Sequence, residues 1–141
     1  MDQTVCEILH RVTYSETDQM GVAYYGWYPV WLEKARTEYL RRTGTTYREL
    51  EATGLRLVVS ELRVRYRAPA RYDDLVRITC WVREIASRRV TFGYSVAVAD
   101  TGALLATAET ALLSLDQEMN PVRMPDLLRE QLLPRPDLVR I

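Results

Sequence analysis

One histidine and two cysteines are the only imidazole and thiol groups in this chain of 141 residues. A structural zinc site needs four such ligands at characteristic spacings. Cys6, His10 and Cys80 are too few and too scattered to supply them, so no metal is expected, and the residue pattern implies no cofactor. The two isolated cysteines read as reduced, structural residues of a cytosolic protein. Charge of one sign is also missing: the net charge is +0 and the pI about 6.6. Without a basic surplus there is no electrostatic support for wholesale binding to nucleic acid or to an anionic membrane. No apolar run approaches the roughly 20 residues that span a bilayer. The opening MDQTVCEILHR lacks a basic start followed by a long apolar core. No signal peptide is therefore expected, and the protein reads as cytoplasmic. Internal repeats, linkers and low-complexity segments are lacking too. What remains is 48% hydrophobic and 27% charged, a globular balance, in a length that fits one domain over residues 1–141 with one core.

Hydrophobic periodicity divides that length into elements. Residues 5–14 alternate, with Cys6, Ile8, His10, Val12 and Tyr14 on the more apolar face, the pattern of a half-buried strand. His10 lies within it and reads as a packed strand residue, not a catalyst. From Tyr28 the period changes: Tyr28, Trp31, Leu32, Ala35 and Tyr39 form an i, i+3, i+4, i+7 stripe. Pro29 suits the first turn of that helix and Gly44 the position just past its end. Lys34 and Glu38 are spaced to pair along it. A short helix is expected over 47–53, stopped by Gly54. In residues 57–67, Val58, Ser60, Leu62, Val64 and Tyr66 alternate with a face that bears Arg63, Arg65 and Arg67. That arginine stripe reads as solvated or facing a second copy. Strands follow over 74–86 and 90–99, joined by a turn at Ser87-Arg88-Arg89. A hairpin turn at Asp100-Thr101-Gly102 leads to a strand over 103–115. The last segment has a period that would also suit a helix, but the hairpin register favours a strand. A short terminal helix is expected over 125–133. Four turn-linked strands imply an antiparallel sheet, and one long striped helix must cover a face of it: an α+β fold.

The chain is organised around residues 14–37, YSETDQMGVAYYGWYPVWLEKART. Asp18 and Gly21 occupy the loop between the first strand and the long helix. A carboxylate just ahead of a helix start faces backbone N–H groups that have no intrahelical partner and carry partial positive charge. A carboxylate beside such donors suits acyl transfer. The neutral alternative is that Asp18 merely caps the helix.

The run Tyr14-Ser15-Glu16-Thr17-Asp18-Gln19-Met20-Gly21-Val22-Ala23-Tyr24-Tyr25, with Tyr28 and Trp31-Leu32-Glu33-Lys34-Ala35-Arg36-Thr37, resembles the hotdog-fold acyl-CoA thioesterases of the 4-hydroxybenzoyl-CoA thioesterase-like branch. The resemblance covers nearly the whole chain. It implies a hotdog fold, a curved antiparallel sheet of about five strands wrapped around one long central helix. It implies hydrolysis of an acyl-CoA thioester, with Asp18 as the catalytic carboxylate, acting as nucleophile or general base, and the Tyr25 backbone N–H as oxyanion donor. By position Arg88 and Arg89 match a basic turn that binds coenzyme A phosphates, or they form a polar hairpin tip. Edge-paired dimers, often assembled into tetramers, with active sites at the dimer interface, are implied as well. Many acyl-CoA members have His at the position of Tyr25 and Asn at that of Trp27; a mechanism needing that histidine cannot run here.

Tyr24, Trp27 and Trp31 line an acyl pocket or fill the core. Glu33, a buttress for the loop or a partner of Arg36, is the second candidate acid, and Glu16 ranks below it. An acyl-carrier protein is the alternative substrate donor, because both donors present phosphopantetheine. A non-catalytic acyl-CoA binder is the alternative in a different class.

Overall fold

The computed structural model describes residues 2–44 and 46–141. In chain order the elements are β1 (Val5–Arg11), α1 (Tyr28–Arg42), α2 (Tyr47–Ala52), β2 (Arg56–Tyr66), β3 (Leu75–Ile85), β4 (Arg89–Val98), β5 (Leu104–Leu115) and α3 (Asp126–Gln131). Two 3-10 turns, Tyr14–Glu16 and Tyr25–Trp27, lie between β1 and α1. The strands form one antiparallel sheet in the order β1-β3-β4-β5-β2. β5 pairs with β4 on one side and β2 on the other, so cross-strand hydrogen bonding overrides the helical period of its Ala- and Leu-rich sequence. The curved sheet around one long helix is the architecture expected of the hotdog fold.

The helical stripe is what closes the core. Tyr28, Trp31, Leu32, Ala35 and Tyr39 are all buried, against Val76, Ile78, Cys80 and Val82 of β3 and Phe92, Tyr94 and Val96 of β4. Burying one large apolar side chain contributes on the order of 1.5–3 kcal/mol, so this face holds α1 in place. Arg36 lies among them, buried, and donates to the Tyr94 hydroxyl at 3.1 Å. It does not turn to Glu33, which is exposed. The expected Lys34–Glu38 pair does not form either: Lys34 donates to His10 Nδ1 at 3.1 Å, and Glu38 takes Arg41.

Three expectations about the strands are corrected. β1 ends at Arg11, and residues 14–16 coil into a 3-10 turn. Arg89 belongs to β4, opposite Leu113, instead of the turn before it. In β2 a bulge between Val59 and Glu61 inserts one residue, and one extra residue reverses the alternation. Leu62, Val64 and Tyr66 therefore share the face of Thr110, Ala108 and Ala106, while before the bulge it is Leu57 and Val59, not Val58, that keep that side.

A second bulge, between Val82 and Glu84, sets Arg83 outside the β3–β4 register. Arg83 bonds Glu109 and Asp137 on the sheet face away from α1. The Trp81 indole also donates to Asp137, at 3.0 Å, so the C-terminal segment seals that face.

Candidate active site

Residues 16–18 run antiparallel to residues 22–24. The Tyr24 N–H donates to the Glu16 carbonyl at 2.7 Å, Thr17 bridges Ala23, and the Asp18 N–H donates to the Val22 carbonyl at 2.9 Å. On its other side the second limb meets residues 70 and 71: the Ala23 N–H donates to the Ala70 carbonyl at 2.8 Å, and Val22 bridges Arg71. The result is a short three-limbed ribbon with Asp18 at its tip. The tip closes through Gly21, whose N–H donates to the Asp18 carbonyl at 3.0 Å and whose φ of +77° suits a residue without Cβ.

Asp18 is half-buried. Its Oδ1 accepts the Met20 N–H at 2.8 Å, an Asx-type turn that fixes the carboxylate. Oδ2 has no protein partner among the described residues. The ribbon then leads straight into the 3-10 turn Tyr25–Trp27 and α1. Within the turn the Trp27 N–H donates to the Tyr24 carbonyl and the Tyr28 N–H to the Tyr25 carbonyl. The N–H groups of Tyr25 and Gly26 are those that a 3-10 start leaves without an intrahelical partner. A carboxylate and a pair of such donors thus stand on one rigid piece of backbone. A Cβ on Gly26 would sit 2.5 Å from the Tyr24 ring, so any larger residue there would displace that exposed side chain.

The residue that sequence reasoning ranked too low is Glu16. Its carboxylate is 6% exposed, yet it accepts the Thr13 N–H at 2.8 Å, Trp31 Nε1–H at 2.8 Å and His10 Nε2 at 2.9 Å. Burial pushes its pKa up, but the hydrogen bonds from Thr13, Trp31 and His10 together outweigh that and bring it from 4.5 down to about 2. A signal was present in the sequence: a buried Trp needs an acceptor for its indole N–H, and the acid at 16 stands at the entry to the same loop. The lone His10 is part of this network, with its ring 5.0 Å from that of Trp31.

Trp31 has no exposed surface and fills the core, so it lines no open pocket. Tyr24, Tyr25 and Trp27 are exposed, at 44%, 62% and 36%. The Tyr24 and Tyr25 rings continue a chain of aromatic contacts: Tyr24–Tyr25 at 4.6 Å, Tyr25–Tyr66 at 6.4 Å and Tyr66–Tyr28 at 4.9 Å. Burial, then the neighbouring Tyr66, push the Tyr28 phenol up to about 12, so it stays neutral at working pH.

Arg88 and Arg89 are exposed, and Arg89 faces Glu84 at 3.8 Å. They follow the far end of β3, whereas the Asp18 ribbon adjoins its beginning at residues 70–74. The 11 residues of β3 span about 35 Å at roughly 3.3 Å each. Within one chain these arginines and Asp18 do not meet. Among the described residues no cluster of three or more His, Cys, Asp or Glu side chains could hold a metal ion. Nor is any described helix long and apolar enough to cross a membrane.

Comparison with known proteins places the ribbon and sheet in a family context. The family model described as "Thioesterase-like superfamily" matches residues 12–132. The acyl-CoA thioester hydrolase YbgC of Escherichia coli is 34% identical over 116 residues, covering 82% of this chain and 86% of that protein. Among solved structures, the hypothetical protein TT1821 from Thermus thermophilus superposes with a TM-score of 0.82 at 38% identity, over 88% of this chain and 95% of the other. A DHNA-CoA thioesterase from Staphylococcus aureus superposes with a TM-score of 0.84 at 30% identity, over 90% and 87%.

Proposed function

This chain belongs to the thioesterase-like superfamily, and from that premise we propose that it hydrolyses acyl-CoA thioesters with Asp18 as the reacting carboxylate and the Tyr25 N–H as oxyanion donor. The observation that carries the reading is the shared ribbon. Asp18 at its tip and Tyr25 just past its end are held by the same backbone hydrogen bonds, and Oδ2 of Asp18 is left for chemistry. Two routes use this arrangement. In one, a carboxylate oxygen attacks the thioester carbonyl carbon, the C–S bond breaks, coenzyme A leaves as its thiolate, and water hydrolyses the resulting anhydride. In the other, the carboxylate takes a proton from water as that water attacks, and the C–S bond breaks from the tetrahedral intermediate. Both place negative charge on the former carbonyl oxygen, where backbone N–H groups stabilise it.

A second copy of the chain completes the site. β2 is an 11-residue edge strand with Val58, Val59, Leu62 and Tyr66 all at least 36% exposed. Long apolar edges are normally paired or protected. Antiparallel pairing of β2 with the β2 of another copy sets the Tyr66 end of one chain beside the Arg56 end of the other. Arg89 lies at that Arg56 end, across β5. The second copy's Arg88 and Arg89 are thereby brought toward Asp18 and Tyr25, where they suit the phosphates of coenzyme A. Tyr24 and Trp27 offer exposed aromatic surface for the acyl group.

Thiol release from a panel of aliphatic and aryl acyl-CoA thioesters tests the reading. Turnover of at least one class is expected. Tight binding without thiol release would make the protein a non-catalytic acyl-CoA binder. Turnover of matched acyl-carrier substrates alone would move the donor to the carrier protein.

A further inference from the structure

Four groups converge on the Glu16 carboxylate or on the ring that binds it, and they come from three separate parts of the chain. The Thr13 N–H belongs to the turn that leaves β1. His10 belongs to β1 itself and meets both carboxylate oxygens, at 2.9 and 3.1 Å. Trp31 and Lys34 belong to α1, one turn apart on one face. Lys34, the one lysine in the sequence, can only donate, so His10 Nδ1 is the acceptor and Nε2 carries the proton directed at Glu16. The Thr13, His10 and Trp31 donors thus point inward toward one buried carboxylate, and Lys34 holds the His10 ring from behind. The main chain of the same residue then accepts the Tyr24 N–H at 2.7 Å, the first rung of the ribbon.

We propose that Glu16 is a positioning residue, whose side chain anchors the ribbon to β1 and α1 and so sets Asp18 and the Tyr25 N–H at their working separation. The inference rests on the active-site reading above. Glu16 precedes Asp18 by two residues on one limb, and its rung partner Tyr24 precedes Tyr25 by one on the other. Moving this anchor moves both members of the pair. The rungs hold the limbs to each other, and the contacts with residues 70 and 71 tie one limb to the chain ahead of β3. The Glu16 side chain ties the ribbon to the strand and helix that flank it.

Catalysis depends on position more steeply than binding does: a misplacement of ~1 Å can cost about 10²-fold in rate. Glu16→Ala removes the acceptor for the Thr13, Trp31 and His10 donors. It should lower kcat about 10- to 100-fold while KM stays within about twofold. Thr13 donates to Oε1 and Trp31 to Oε2, so Glu16→Gln keeps a carbonyl oxygen for one of them and for His10 Nε2–H, and turns an amide N–H2 toward the other. It should recover part of the loss, leaving kcat down about three- to tenfold. His10→Phe keeps a ring against Trp31, leaves the Thr13 and Trp31 bonds to Glu16 in place, removes the Nε2 donor together with the Nδ1 acceptor of Lys34, and should fall in the same range as Glu16→Gln. It carries the test should either Glu16 variant fail to fold.

A purely structural role would lower melting temperature and the folded fraction, while kcat expressed per folded molecule would stay that of the parent. Folded variants whose kcat remains within twofold of the parent, or whose kcat and KM move together, overturn the proposal. Asp18→Asn, measured alongside, separates the two readings. If Asp18→Asn keeps its turnover, the active-site assignment itself fails. If Asp18→Asn is inactive and the Glu16 and His10 variants keep kcat, the positioning role alone fails.

Discussion

The hydroxyl of Tyr66 donates to the carbonyl of Tyr25 at 3.1 Å. The last residue of edge strand β2 thus orients the peptide that joins Tyr25 to Gly26, at the turn carrying the proposed oxyanion donors. Tyr66→Phe removes that bond and keeps the ring contacts with Tyr25 and Tyr28. Loss of one such hydrogen bond should cost about 1 kcal/mol in stability. If the bond also holds the donor peptide in place, kcat should fall by more than the tenfold that about 1.4 kcal/mol represents. Steady-state kinetics and a denaturant titration on the same sample distinguish the two; a kcat equal to that of the parent would make this bond a surface contact.

Glu16 also makes stability depend on pH in a direction fixed by its shift. Its folded-state pKa is depressed, from 4.5 to about 2. Its stabilising contribution is therefore complete above about pH 4.5 and is lost as the pH falls from there toward about 2. The stability gap between the parent protein and Glu16→Gln should be widest near neutral pH and should narrow as pH drops through that window. Melting curves taken from pH 7 to pH 3 measure it; a gap that stays constant over that range contradicts the ionised-carboxylate account.

Much of this was legible in the sequence because periodicity is a local property. The α1 stripe, the strand alternation and the Asp100–Gly102 hairpin each arise from residues close together in the chain, and each appears in the structure. The β2 face was misassigned at Val58 because a bulge is decided by how two strands fit, and an extra residue in one limb leaves no mark in the pattern. Helical spacing points Lys34 to Glu38, whereas a ring on β1 offers a better-placed acceptor. The weight of Glu16 is hidden for the same reason. Its partners are 3, 6 and 15 residues away, and nothing in spacing alone says that His10 and Trp31 close over it. The Asp18 loop, in contrast, announced itself through an acid, a glycine and aromatics ahead of a helix.

The proposed edge pairing through β2 requires the protein to be at least a dimer. Light scattering at micromolar concentration should find no stable monomer, and a stable monomer would remove the proposed route by which arginines reach Asp18.

That route has a kinetic signature. Arg88→Ala combined with Arg89→Ala should raise KM for acyl-CoA and make binding less sensitive to salt, with kcat little changed, because phosphate contacts strengthen the ground and transition states alike. Competition from Glu84, which faces Arg89 at 3.8 Å in the free chain, should lessen the contribution of Arg89. A double variant with unaltered KM at both low and high salt would leave these arginines as hairpin surface.

The most direct measurement is kcat for Asp18→Asn. Asparagine is nearly isosteric, and its side-chain oxygen can still accept the Met20 N–H that Oδ1 accepts now. The ribbon and the fold should therefore survive, while the amide is neither a base nor a nucleophile at neutral pH. Glu33→Gln, at an exposed position on α1, is the matched control. The account predicts a folded, oligomeric Asp18→Asn protein that binds acyl-CoA with kcat reduced by at least about 10²-fold, beside a Glu33→Gln protein that keeps most of its activity. It is contradicted by an Asp18→Asn protein with near-normal kcat, by a loss of activity that merely tracks unfolding, or by a Glu33→Gln protein that is inactive while Asp18→Asn works.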